Sequence, residues 1–268
     1  MELRHFKSLN KVSETEDYVS ALEAFDSIPQ LQELKAVARK KSGISQGDKV
    51  LDVGCGFGLE TTRLAKLVQP NGAISGLDLS SAFIDEARKR AALSDLGIDY
   101  ATGAAQDLPY ADNRFDHVRA ERILIYLRDY QLALSEMKRV LRPGGRLSLI
   151  EPDFSTNTIN LPNRDLVRRV IDHEVSQAVE QGWLPGPLLS SLNDLGFEDI
   201  EVSTRVLIFP QDLAAGYFNN VGDHAKEAHV ISDDELTEWQ NGIDSLQREG
   251  QIFATISYFL FSAICPDH

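Results

Sequence analysis

The sequence predicts an α/β fold: an open, mainly parallel sheet wrapped by helices. Three observations carry this expectation. From Gly47 onward, short β-branched runs alternate with amphipathic helical stretches. The connections between them are short, as in consecutive β/α units. The chain has 268 residues, 43% of them apolar and 25% charged, enough for a sizeable core without covalent staples and for one or two domains.

Residues 1–46 are polar with helical fragments, and after Pro29 the residues Leu31, Leu34, Val37 and Ala38 form an apolar helical stripe. Residues 49–53 read as a buried strand, followed by the turn Gly54-Cys-Gly-Phe-Gly58 and a helix that turns Leu64, Leu67 and Val68 inward. Residues 73–78 form a second strand, and Ser80 and Ser81 can cap the helix after it. That helix buries Phe83, Ile84, Ala87 and Ala91 and pairs Asp85 with Lys89 and Glu86 with Arg90 on its outer face. Strands three and four are expected at 98–102 and 115–120, and a helix from Tyr130 to Leu141 is stopped by Arg142-Pro-Gly-Gly145. Residues 146–150 make strand five. A helical stretch at about 152–195 precedes the alternating run 197–208, strand six. A second helical insertion, at about 210–250, carries a capping box from Ser232 to Glu235 and leads to strand seven at 252–264.

Charge and composition narrow the function. Lys and Arg number 27 against 41 Asp and Glu, a net charge of −14, which repels phosphate backbones. Nucleic acid and anionic membrane are therefore not expected as partners, Arg39-Lys40-Lys41 being a small local exception. Cys55 and Cys265 alone cannot build a disulfide framework or a zinc knuckle. The first residues lack the apolar stretch of a signal peptide, and the longest apolar-rich run, 252–265, falls short of the about 20 residues of a spanning helix. A cytoplasmic monomer or homodimer is the expectation. No metal is expected: His173-Glu174 opens a zinc signature, but position 177 is Gln, and His224 and His229 are off a common helical face.

The most informative segment is the glycine turn after strand one, where a backbone without Cβ atoms can approach a ligand. Ligands of open α/β sheets sit at the carboxyl ends of the strands, where this turn lies. Asp78 ends strand two, 24 residues after Gly54, placed to accept from a ribose diol, and Asp107 follows strand three near an adenine amino group. Together they predict a nucleoside pocket. A nicotinamide dinucleotide is the competitor, but its G-x-G-x-x-G pattern would need glycine where Leu59 stands.

Val50-Leu-Asp-Val-Gly-Cys-Gly-Phe-Gly58, Gly76-Leu-Asp-Leu-Ser80, Ala105-Gln-Asp-Leu-Pro109 and Arg139-Val-Leu-Arg-Pro-Gly-Gly145 come in this order. This set resembles the class I S-adenosylmethionine-dependent methyltransferases, most of all the branch holding the ubiquinone and menaquinone methyltransferases. The resemblance is strongest over about residues 45–151. It implies a seven-stranded Rossmann-like sheet with an antiparallel last strand, S-adenosyl-L-methionine as cofactor and a small-molecule acceptor. Residues 1–46 would then be a helical lid on a methyltransferase domain of residues 47–268.

By position, the resemblance assigns the methionine half to Gly54 and Gly56, with Asp52 near its amino group. Asp78 takes the ribose, Leu79 and Phe83 pack on adenine, and Gln106, Asp107 and Leu108 frame its edge. Glu121 and Ile125 face the region of the sulfur. Tyr18 and Lys35 belong to the closing segment, Lys35 either pairing with the methionine carboxylate or standing as a solvated helix lysine. Apart from the resemblance, both helical insertions are expected to stand over the carboxyl edge of the sheet and roof the acceptor pocket, the first through the stretch around Pro185-Gly-Pro187. Trp183 and Trp239 read more as core than as substrate contacts.

Methyl transfer from a sulfonium needs alignment, and a base only when the acceptor holds a proton. Many relatives carry Leu-x-His-Leu after strand four. Here Leu124-Ile-Tyr-Leu127 places Tyr126 at the histidine, and a tyrosine with a reference pKa of about 10 is a poor base. Glu151 and Asp153, directly after strand five, are the remaining catalytic candidates, whereas His117 reads as a structural histidine. The alternative class is a protein of this fold that binds the cofactor for a structural, regulatory or cyclase role.

Overall fold

The computed structural model describes residues 12–94, 96–177 and 179–267, with side chains from Val19 onward. Two helices, α1 (Val12–Asp26) and α2 (Pro29–Ser42), precede the first strand. The sheet follows as β1 (Lys49–Val53), α3 (Leu59–Val68), β2 (Ala73–Asp78), α4 (Ser81–Ala92), β3 (Asp99–Thr102) and β4 (Phe115–Glu121). A short 3-10 turn, Leu124–Tyr126, leads to α5 (Tyr130–Val140) and β5 (Leu141–Ile159). Beyond it come α6 (Arg164–Gln177), α7 (Pro185–Asp194), β6 (Glu198–Ile208), α8 (Gln211–Glu227), α9 (Asp233–Glu249) and β7 (Ala254–Ile264).

The strands lie in the order β3-β2-β1-β4-β5-β7-β6. The first five are parallel, and β7 runs antiparallel to both β5 and β6, as the resemblance implied. β1 is central and buried on both faces, which is why Val50, Leu51 and Val53 follow one another without polar alternation, broken only by Asp52. The strand order reverses between β1 and β4, so a crevice opens at their carboxyl ends.

Local signals read from sequence are realised here. The Ser80 hydroxyl accepts from the Phe83 N–H at the start of α4, and Ser232 with Glu235 forms a capping box at α9. Strand five differs from expectation. It continues past Ile150 to Ile159, pairing with β7 from Arg146↔Ile264 to Asp153↔Ser257 and resuming, three residues out of step, at Thr158↔Thr255. Between these stretches the Thr156 hydroxyl oxygen accepts from the Ser257 N–H at 2.8 Å, so a side chain replaces a ladder bond in the bulge. Among the described residues no helix is long and apolar enough to cross a membrane. Nor does any group of three or more His, Cys, Asp or Glu among them suit a metal ion.

Candidate active site

The glycine turn is the mouth of a cleft of about 1200 Å³, its open side included. Gly54, Gly56 and Gly58 all have left-handed backbone, with φ of +70°, +54° and +85°. A Cβ on Gly54 would fall 1.9 Å from the Ile123 side chain, and one on Gly58 would fall 2.2 Å from the Tyr100 hydroxyl. The spacing G-x-G-x-G therefore answers to conformation and contact together. Asp78, at the end of β2, accepts from the Gly56 N–H and the Ser80 N–H, both at 2.9 Å. Burial pushes its carboxyl up, and those two bonds offset part of the rise.

Gln106, Ala104 and Ala105 continue the wall beyond β3, with Leu77, Leu79 and Phe83 opposite. Leu79 is a 63% exposed rim residue, and Phe83 is buried edge-on to Phe57. Leu108 and Asp107 stand outside the lining. Leu108 is buried and donates its N–H to Glu136, and Asp107 is exposed. Cys55 lines the cleft with a thiol that burial drives well above its ordinary value.

Along one side of the cleft runs an unbroken chain of alternating charges. Asp52 meets Arg119 at 2.6 Å, Arg119 meets Glu121 at 2.6 Å, Glu121 meets Lys35 at 2.9 Å and Lys35 meets Asp26 at 2.6 Å. Arg63 then bridges Asp26 and Glu60, and Glu60 is paired with Arg39. The parallel register explains its centre, since Asp52 of β1 lies directly opposite Arg119 of β4. Burial would raise the carboxyls of Asp26 and Glu121. Arg63 and Lys35 outweigh it at Asp26, and Lys35, Arg119 and Arg122 outweigh it at Glu121, so both are held at about 2. Asp52, wholly buried and bonded to the Thr61 hydroxyl, is raised by burial and lies behind the cleft wall. Lys35 faces the cleft but is shared by two carboxylates.

A second cavity of about 740 Å³ adjoins the first. Phe25, Phe154, Phe209, Tyr217 and Tyr258 give it an aromatic wall, and Tyr217 stacks on Phe209 at 5.5 Å. Ile125, expected near the sulfur, lines this cavity and not the first. Tyr126 and Arg122 line both. Burial raises the Tyr126 phenol. Arg122 holds a left-handed backbone with φ of +53°, a conformation that costs a non-glycine residue about 1–2 kcal/mol. The covering helices are α1, through Ala21 and Phe25, and α8, through Leu213, Gly216 and Tyr217. Trp183 and residues 185–187 line neither cavity, and Trp183 is 65% exposed rather than core. Of the two insertions expected to roof the pocket, the second therefore contributes, through α8, and the Pro185-Gly-Pro187 stretch of the first does not.

The expected carboxylates stand differently from the sequence reading. Glu151 is fully buried and accepts from the Ile123 N–H at 3.1 Å and the Leu124 N–H at 2.9 Å, fixing the 3-10 turn, and burial lifts its carboxyl to about 8. Asp153 accepts from the backbone and hydroxyl of Ser155 within the β5 bulge and lines neither cavity. His117 pairs with Asp48 at 3.0 Å, away from both cavities. Tyr18 falls in α1, its side chain outside the described residues. Sequence reasoning missed Asp26, Glu60, Arg63, Arg119, Arg122 and the aromatic wall. Arg119 and Glu121 did carry a signal, two charges at i, i+2 on one face of an otherwise buried strand.

The residues present suit an adenosyl-methionine ligand. Glycine backbone opens the turn, a half-buried carboxylate stands at the end of β2, and apolar side chains from Leu79 to Ala105 line the wall beside it. Comparison with known proteins agrees. Residues 51–149 match the methyltransferase domain family. An uncharacterised 37.1 kDa protein in a transposon of Streptomyces fradiae is 33% identical over 247 residues, covering 92% of this chain and 71% of that protein. Demethylmenaquinone methyltransferase of Staphylococcus aureus is 38% identical over 117 residues, covering 44% of this chain and 48% of its own, so the chain spans about half the length of that relative. Among solved structures, phosphoethanolamine N-methyltransferase 2 of Haemonchus contortus in complex with S-adenosyl-L-methionine superposes with a TM-score of 0.63 at 19% identity, covering 99% of this chain and 60% of that one, a likeness of fold. Glycine turn, Asp78, sheet order and domain match thus converge, and the chain belongs to the class I S-adenosylmethionine-dependent methyltransferases.

Proposed function

We propose that the protein transfers a methyl group from S-adenosylmethionine to a small, largely apolar acceptor held in the aromatic cavity. One observation carries this reading: the glycine-turn cleft and the aromatic cavity meet at Arg122 and Tyr126. A donor in the first and an acceptor in the second would face each other there. When bound, the cofactor supplies a methyl group on a sulfonium, activated for in-line displacement. The chain's own work is then positioning. Gly54 and Gly56 would hold the methionine half, Asp78 the ribose hydroxyls, and Leu79, Phe83 and Gln106 the adenine.

Alignment of this kind is worth up to about 7–11 kcal/mol in ideal cases. Residues 1–46 would act as the lid, since Leu22 and Asp26 of α1 face the first cavity and Phe25 the second. Glu121, Glu151 and Tyr126 are poor bases at neutral pH, so the acceptor would enter with its accepting atom already free of a proton. Glu121 is ion-paired and held at about 2, Glu151 is tied to backbone N–H groups, and burial raises the Tyr126 phenol. The test is incubation with methyl-deuterated S-adenosylmethionine and a panel of aromatic acceptors, followed by mass spectrometry. The reading predicts an acceptor carrying one labelled methyl, with S-adenosylhomocysteine formed in equal amount. Cofactor bound but every acceptor recovered unmethylated would move the protein to a binding or cyclase role.

A further inference from the structure

The cations around the crevice are not alike. Among the described residues, Lys35, Arg39, Arg63 and Arg119 each have a carboxylate oxygen within 2.6 Å, and four carboxylates, Asp26, Asp52, Glu60 and Glu121, balance them. Arg122 is the fifth cation. Its nearest carboxylate oxygen lies 3.9 Å from Nε, and that buried Nε has no hydrogen-bond partner. The guanidinium lies over the Phe25 ring instead, 4.7 Å from its centroid. The other charged residue of the aromatic cavity, Asp212, is exposed and bonded to Gln247.

A guanidinium in an apolar wall is stabilised fully only by an oxyanion that meets its donors, preferably two at once. The Arg122 backbone is fixed for this placement by its N–H bond to the Ile150 carbonyl at 2.9 Å. We infer that Arg122 determines acceptor specificity: the acceptor is a flat, apolar molecule bearing an oxyanion, a carboxylate or an ionised phenol or enol, which the guanidinium holds at the junction of the two cavities. This rests on the methyltransferase reading above and deepens it. The −14 net charge makes such a receptor informative, because the acidic surface would disfavour an anion that no local cation receives.

The test uses the full chain saturated with S-adenosylhomocysteine and two probes of one shape, 2-naphthoate and neutral 2-naphthamide, titrated by calorimetry. Wild type should bind naphthoate at least tenfold more tightly than naphthamide. Arg122→Gln should abolish that preference, Arg122→Lys should keep part of it, and S-adenosylhomocysteine affinity should stay within twofold in both. Arg122→Asn, which tolerates left-handed backbone, replaces the Gln variant if that one melts early. Equal binding of the two probes to wild type, or binding of neither, overturns the inference. So does a fall in S-adenosylhomocysteine affinity in Arg122→Gln that matches the loss of naphthoate binding, because Arg122 would then serve the cofactor. Failure of wild type to bind S-adenosylhomocysteine at all contradicts the methyltransferase reading itself and is seen before any probe is added.

Discussion

The two cavities that meet at Arg122 and Tyr126 are built by opposite means. The glycine-turn cleft is built from loops at strand ends, with an eight-membered chain of alternating charges along one wall, from Asp52 through Arg119, Glu121, Lys35, Asp26, Arg63 and Glu60 to Arg39. The aromatic cavity is assembled from side chains far apart in sequence, Phe25, Phe154, Phe209, Tyr217 and Tyr258. The first is rigid by electrostatics and local conformation, and the second takes its shape from packing. Disturbing the first should therefore cost stability or cofactor affinity, and disturbing the second should leave the cofactor alone.

The largest effect is expected from Glu121→Ala. It removes the carboxylate between Lys35 and Arg119 and leaves both buried cations short of a partner, a loss of about 3–5 kcal/mol. Chemical denaturation would measure it, and a loss below about 1 kcal/mol would mean that the charge chain is not what holds α2 to β4.

Glu151→Gln separates positioning from acid-base chemistry. The folded carboxyl is raised to about 8 from an ordinary 4.5, so its contribution to stability is complete below pH 4.5 and is lost as pH rises through 8. Wild type should lose stability on the order of 3 kcal/mol from this group between pH 5 and 8, and the Gln variant should lack that slope. Parallel slopes in the two proteins would remove Glu151 from the account. Asp26 and Glu121 have the opposite sign: both are depressed to about 2, so their stabilisation is present above the ordinary carboxylate range and fails as pH falls toward 2.

Asp78→Asn should weaken S-adenosylhomocysteine binding by roughly 10- to 100-fold, the value of a hydrogen bond to a charged group, with folding retained. Unchanged affinity would detach Asp78 from the ribose. The smallest effect tests the other cavity. Tyr217→Leu removes the ring stacked on Phe209 and the hydroxyl that accepts from Asn157, a cost of about 1–2 kcal/mol in melting experiments, while cofactor affinity stays within twofold.

The contrast between the cavities also explains what was legible in the sequence. Gly54, Gly56, Gly58 and Asp78 owe their places to backbone conformation and strand position, both fixed by neighbours in the chain, so local spacing was enough to place them together at one turn. Sheet and helices were legible for the same reason. Strand five was not, because its extension from Ile150 to Ile159 depends on β7, about a hundred residues away. Glu151 and Asp153 looked alike as carboxylates after a strand, yet one is spent on the Ile123 and Leu124 N–H groups and the other on Ser155. The insertion holding Trp183 and Pro185-Gly-Pro187 reads as a roof from its place after strand five, but α1 and α8 supply the walls and Trp183 is exposed. Arg122 carried no periodic signal at all. Its importance comes from what surrounds it in space.

The measurement closest to the central claim is a thermal melt of cofactor-free protein with S-adenosylhomocysteine and with NAD in parallel. A ligand at 100 times its Kd stabilises by about 2.7 kcal/mol, which for a chain of this size raises Tm by about 5–10 °C. The account predicts that shift with S-adenosylhomocysteine and none with NAD. Folded protein that melts at the same temperature with and without S-adenosylhomocysteine would contradict it.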